Sequence, residues 1–171
     1  PRATTILLDN YNAAKEMVLH LSRLGHRRIA FIHGGKHNYD ARERYRGYVD
    51  GRKVCQADAD VNLEVMGSFT ESSGFQATLD LMKRNPVPTA IFAANDAMAI
   101  GAIEAARALK LRVPLDLAIV GFDDISSAAY MDPALTTVHV PLRRLGHLAA
   151  EAMLKNLKTD PAERTTEKII I

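Results

Sequence analysis

The residues of this 171-residue chain that are equipped for chemistry fall into a few short strings. Asn95-Asp96 and Asp123-Asp124 each follow an apolar run. Asn95 carries an amide, which offers both a donor and an acceptor and so reads a hydroxyl in either sense. Asp96, at the opening of a helical stretch, fits the simpler role of a cap on free backbone donors. Asp123-Asp124 suit three tasks: capping a loop, accepting hydrogen bonds from ligand hydroxyls, or holding a cation. The last needs more oxygen ligands than the sequence guarantees. Gly34-Gly35-Lys36-His37-Asn38-Tyr39-Asp40 has two glycines that let backbone bend or approach a ligand. It lacks the spacing of a phosphate loop, and no G-x-G-x-x-G follows a strand anywhere in the chain.

Arg42, Arg44 and Arg46 lie two residues apart. On a helix they point in different directions, so one of them is expected to face a ligand while the others are solvated. His33, His37 and His139 lack metal-ligand spacing, and His20, His26 and His147 sit where surface or packing roles suffice, so no zinc site is expected. Ser72 and Ser73 follow Glu71 at a helix start, where capping explains them, and no Gly-x-Ser-x-Gly elbow surrounds either. No catalytic residue and no cofactor is expected. The single Cys55 excludes an internal disulfide framework and reads as a small, buried or half-buried residue.

Something must bring these strings together, and the apolar pattern supplies it. Strand-length runs at 5–8, 28–32, 63–66, 89–93, 117–120, 136–140 and 165–171 alternate with helix-period segments. Helices are expected from Ala13 to Leu24 with Gly25 as the stop, over 41–54, around 75–82 closed by Pro86, over 96–109, and from about Pro141 with Leu145, Ala149, Ala152 and Met153 on one face. Gly47 and Gly51 weaken the second of these. Alternation of this kind, with short connections, is the pattern of a doubly wound, Rossmann-like parallel α/β sheet. In such sheets ligands bind beyond the carboxyl ends of the strands. The residues there are Asp9-Asn10, Gly34-Gly35, Phe69-Thr70, Asn95-Asp96 and Asp123-Asp124, so one edge is the candidate site.

Lys and Arg total 22 against 20 Asp and Glu, a net charge of +2. That balance gives no field strong enough to hold a phosphate backbone, so a nucleic-acid surface is not expected on these residues. No apolar run approaches the roughly 20 residues of a membrane span, and Pro1-Arg2-Ala3-Thr4-Thr5 does not read as a signal peptide. The chain opens without Met directly ahead of an apolar strand and closes on Lys168-Ile169-Ile170-Ile171. It therefore reads as a fragment of a longer protein.

Several strings, in order and across nearly the whole chain, resemble the lactose-repressor (LacI/GalR) family. They are Leu24-Gly25-His26-Arg27-Arg28-Ile29-Ala30, then Pro88-Thr89-Ala90-Ile91-Phe92-Ala93-Ala94-Asn95-Asp96-Ala97-Met98-Ala99-Ile100-Gly101, then Val120-Gly121-Phe122-Asp123-Asp124-Ile125, then Pro133-Ala134-Leu135-Thr136-Thr137-Val138 with Leu145-Gly146 after it. The resemblance implies a periplasmic-binding-protein-like type I effector domain of two Rossmann-like subdomains, a helix-turn-helix head, and a cytoplasmic homodimer on operator DNA. On that basis the chain is a partial effector domain. Residues from about 25 to 136 would form the complete carboxyl-side subdomain, and about 1–24 and 137–171 would be pieces of the other, with the DNA-binding head absent.

Carried over position by position, the resemblance implies effector contacts at Arg44, Asn95 and Asp123, with Phe69 as a stacking aromatic and Asn38 and Asp40 in the loop lining the cleft. Arg, Asn and Asp hydrogen-bond vicinal hydroxyls while an aromatic face covers the C–H side of a sugar ring. A sugar or polyol is expected, and a purine less so, because purine-binding relatives do not usually keep Asn at the position of Asn95. Neither Arg44 nor Asp123 is expected in the sheet core. Asp50-Gly51-Arg52-Lys53 departs from the family's apolar pair, which predicts a shortened or frayed helix and a weakened dimer if that helix contributes to one. Two rivals stand beside the regulator. One is an exported sugar-binding protein of a transporter, against which the His26-Arg27-Arg28 string argues. The other is an α/β enzyme with Asp123 or Asp124 as base or metal ligand.

Overall fold

The computed structural model describes residues 4–35, 37–56, 63–159 and 166–171. They fall into two units, one within residues 10–139 and one made of residues 4–9 with those described after 139. These divisions lie at 9/10 and 139/140, where the sequence suggested about 24/25 and 136/137.

In the larger unit the chain runs α1 (Asn10–Arg23), β2 (Ile29–His33), α2 (Tyr39–Val54), β3 (Glu64–Met66), α3 (Glu71–Leu81), β4 (Ala90–Ala93), α4 (Asp96–Ala108), β5 (Ala118–Asp123), a short 3-10 turn (Ser126–Tyr130) and β6 (Thr136–His139). Its five strands lie in the order β3-β2-β4-β5-β6, every neighbouring pair parallel. This is the doubly wound α/β sheet expected from the alternation. The order reverses between β2 and β4, because β2 leads outward to β3 and β4 leads the other way to β5. Right-handed crossovers then place α2 and α4 on opposite faces, and α1 packs on α2 while α3 packs on α4.

Covered on both sides, β2, β4 and β5 are apolar almost throughout: Ile29 to Ile32, Ala90 to Ala94 and Ile119 to Val120 are buried. Phe31 is in register with Phe92 and packs edge-on against it, with ring centroids 5.3 Å apart. Tyr48 of α2 stacks on Phe31 at 4.7 Å and donates its hydroxyl to the carbonyl of Ile29 at 2.8 Å, so the polar end of a fully buried ring is satisfied.

The expected fraying of α2 does not occur; the helix runs to Val54. A β-carbon on Gly47 would collide with the carbonyl oxygen of Tyr11, and one on Gly51 would come within 2.8 Å of the Val18 β-carbon. The two glycines form the seam along which α1 and α2 touch. Their cost of about 1 kcal/mol each in helix propensity is offset by burial of Ala14, Val18 and Leu21, all nearly inaccessible. β5 is also longer than expected and ends on Asp123, and the turn after it has no counterpart in the sequence reading.

The smaller unit pairs β1 (Thr5–Leu7) with β7 (Lys168–Ile170) in parallel, Ile6 beside Ile169. The strand expected at 165–171 is thus shorter, and Thr165 lies outside the described residues. Its helix α5 (Leu142–Lys158) turns Leu145, Ala149, Ala152 and Met153 to a groove shared with Ile6. No described helix is long and apolar enough to cross a membrane.

Candidate functional site

The carboxyl ends of β2, β4 and β5 carry most of the unusual chemistry of the larger unit. Arg44, a turn into α2, is only 7% exposed. That overturns the expectation that it lies outside the core, and the reason is the number of partners it finds. Its guanidinium lies 3.7 Å from the centre of the Phe122 ring. Nε donates to Oδ1 of Asn10 at 2.8 Å, and one terminal nitrogen donates to the Ala94 carbonyl at 2.6 Å and to Oδ1 of Asp123 at 3.1 Å. Asn10 in turn donates its amide to Asp40 at 2.9 Å. An Asp40–Asn10–Arg44–Asp123 chain therefore links α1, α2 and the end of β5.

Two polar atoms of the cluster, the second terminal nitrogen of Arg44 and Oδ2 of Asp123, have no partner among the described residues. A donor and an acceptor belonging to one ion pair are the groups a pair of neighbouring hydroxyls requires. Burial shifts both partners: it lowers the Arg44 pKa and raises that of Asp123 from its ordinary value, in each case against the attraction between them. Desolvation outweighs the pairing, as it does for ion pairs taken out of water without full hydrogen bonding.

Phe69 and Asn95 form a second group at the point where the strand order reverses. Asn95 caps α4 by accepting from the Met98 amide at 3.0 Å, and its own amide donates to the Phe69 carbonyl at 3.3 Å. Its acceptor is therefore already engaged. The cap expected of Asp96 belongs to Asn95 instead, because Asp96 is turned inward and fully buried. There it accepts from the Thr137 hydroxyl at 2.5 Å and the Ile125 amide at 2.9 Å, holding the backbone after β5. Phe69 (φ 62°), Asp123 (φ 118°) and Asp124 (φ 58°) all have the left-handed backbone that non-glycine residues seldom adopt. Such strain collects at sites where a side chain must be aimed.

Asn38 sits apart: it is exposed and caps α2 by accepting from Ala41 at 2.9 Å. Among the three arginines the sequence weighed, Arg46 is exposed and paired with Glu43, and Arg42 is exposed beside the Tyr39 ring. Arg42 also borders a hollow of about 510 Å³ between α2 and the ends of β2 and β3, where Tyr45 and His33 meet Glu64 at 3.0 and 3.3 Å. Asp124 pairs with His139 at 2.6 Å. No group of three or more potential metal ligands occurs among the described residues.

The sequence reading placed Asn10 at this edge without giving it a role, and it missed Phe122 under the guanidinium. Along β5, Gly121 faces α4 while Phe122 lies under Arg44 of α2, and this alternation was the available signal for it.

A family model described as a periplasmic binding protein-like domain matches residues 18–171. The chain is 33% identical over 159 residues to the HTH-type transcriptional repressor PurR of Haemophilus influenzae (strain PittEE), covering 92% of this chain and 47% of the relative. It is 39% identical over 133 residues to the ribose operon repressor of Escherichia coli (strain K12), covering 78% and 40%. The chain thus spans less than half the length of these relatives. A LacI family transcriptional regulator from Enterococcus faecium, solved with bound ribose, superposes with a TM-score of 0.88 at 25% identity, over 98% of this chain and 62% of that one.

Proposed function

This chain belongs to the LacI/GalR family, as effector-binding domain with the periplasmic-binding-protein-like fold, and we propose that it senses a small polyhydroxylated ligand, a sugar or polyol, whose binding controls a transcription regulator's grip on operator DNA. The observation that carries this reading is the pair formed by buried Arg44 and half-buried Asp123, with one uncommitted atom on each partner. Around it, Phe69 supplies an aromatic face, Asp40 a further carboxylate and Asn95 an amide, with Asn38 further out at the exposed start of α2. Residues 10–139 correspond to the carboxyl-side subdomain, and 1–9 with 140–171 to parts of the other.

Operator DNA is gripped through a head outside these residues, by a homodimer working in the cytoplasm. The balanced charge of this chain leaves DNA binding to that head. The ligand is bound and released unchanged, since switching requires only that it favour one conformation over another. The repressor names of the relatives favour this reading over an exported transporter component, and the ribose-bound neighbour favours a sugar over a purine.

A thermal-shift panel of D-ribose, cellobiose, polyols and adenine on the full-length protein tests it, because a ligand that binds only the native state raises its apparent stability. A sugar or polyol is expected to raise the melting temperature and to change operator affinity. Stabilisation by adenine alone, or turnover of any compound in the panel, would contradict the reading.

A further inference from the structure

Arg44 is useful to a ligand only if its guanidinium is held in one plane, and the residue that completes this restraint is Asn10. Set over the Phe122 ring and bonded to the Ala94 carbonyl and Asp123, the guanidinium still requires an acceptor for Nε–H, because a buried unpaired N–H is costly. Asn10, 1% exposed at the first position of α1, provides it. A carboxylate at that position would also accept the bond, but it would compete with Asp123 for the positive charge and repel Asp40. A serine is too short to reach both neighbours. An amide accepts from Arg44 and donates to Asp40 at once, adding no charge.

We propose that Asn10 is a positioning residue for ligand recognition: its amide fixes the Arg44 guanidinium and the Asp40 carboxylate in one orientation, so that the remaining terminal nitrogen of Arg44 is presented to the ligand beside Asp123. The inference rests on the effector reading of Arg44 and Asp123. It also gives the first residue of the larger unit a direct link to the ligand groups, since the chain enters that unit at Asn10.

The test uses full-length protein labelled with 15N on arginine, the Arg44 Nε–H signal being assigned by its loss in Arg44→Lys. In the wild type this proton exchanges with solvent at least about tenfold more slowly than that of exposed Arg46, as a buried hydrogen-bonded proton does. In Asn10→Leu, similar in shape but without polar atoms, that protection disappears, and affinity for D-ribose or cellobiose, whichever the wild type binds, falls at least about tenfold. In Asn10→Asp the acceptor remains and the proton stays protected, but affinity still falls because Asp40 and Arg44 are reoriented. Protection that is absent in the wild type or unchanged in Asn10→Leu overturns the proposal, as does wild-type affinity in both variants. Should neither sugar bind the wild type, the effector reading fails while the exchange measurement still decides the role of Asn10. Should Asn10→Leu not fold, Asn10→Ala, which also lacks the acceptor, decides it by the same exchange criterion.

Discussion

The ring of Phe69 occupies the space that a β-carbon on Gly34 would need. One strand end is thus left bare so that an aromatic from the next crossover can lie across it, at the point where the sheet changes direction. Phe69 has a left-handed backbone there, so it has little freedom to retreat.

Gly34→Ala should therefore act first on the aromatic face. Overpacking of this kind costs about 1–3 kcal/mol of stability, measurable by urea denaturation. The displaced ring should lower sugar affinity by calorimetry, and Phe69→Leu should lower it with a smaller loss of stability. Unchanged affinity in both variants would remove Phe69 from the site.

Much of this edge was legible in the sequence, for identifiable reasons. Strand-length apolar runs followed by Gly34-Gly35, Phe69, Asn95 and Asp123 have to deliver those residues to one side of a parallel sheet, whatever the details of packing. The depth of Arg44 was not legible, because burial of a guanidinium depends on acceptors contributed from three distant places: Asn10, Ala94 and Asp123. The cap expected of Asp96 fell to Asn95 for a similar reason. Which of two adjacent polar residues caps a helix depends on where the strand before it ends, and the partner of Asp96, Thr137, lies 41 residues further along. Helix propensity, being local, counts the glycines of α2 only as weakness, whereas their benefit arises only when α1 lies against them.

That seam gives a second prediction. Gly47→Ala places a methyl group against the Tyr11 backbone, which cannot move aside as a side chain would. Despite the higher helix propensity of alanine, the substitution should destabilise the protein, by about 1–3 kcal/mol. An exposed control, Arg46→Ala, should change the denaturation midpoint little. A stabilised Gly47→Ala would mean that the helices do not approach as closely as described.

Acid should weaken ligand binding through Asp123. Burial raises the pKa of this carboxyl from its ordinary 3.8. As pH falls toward that raised value, the native protein takes up a proton that the unfolded chain does not yet bind. This group's contribution to stability therefore increases on acidification through that window and decreases as pH rises back through it. Ligand affinity should move in the opposite sense, since protonation removes an acceptor. Sugar affinity measured from pH 7 downward should begin to fall above pH 3.8, and Asp123→Asn should flatten the profile. Parallel profiles for the two proteins would remove Asp123 as the titrating group.

The Arg44–Asp123 pair should be costly to break from either side, though not in the same way. Removing Asp123 leaves Arg44 its bonds to Asn10 and Ala94 and leaves the ligand hydroxyls without their acceptor. Asp123→Ala should therefore lose about 2–4 kcal/mol of binding, roughly 30-fold to 1000-fold in affinity, with a modest change in folding. Removing Arg44 does more: it uncovers Phe122, takes one donor each from the Asn10 side-chain oxygen and from Asp123, and opens a cavity in a buried layer. Arg44→Ala should lose both affinity and stability, and Arg44→Lys should restore neither in full, because an ammonium cannot make the same planar set of bonds. The dimer formed by Asp123→Ala should still bind operator while ceasing to respond to the sugar. Arg46→Ala should keep its response, its side chain being exposed and paired with Glu43. Calorimetry, thermal melts and operator titration on the four variants separate these outcomes, and undiminished sugar affinity in both Arg44→Ala and Asp123→Ala would refute the site.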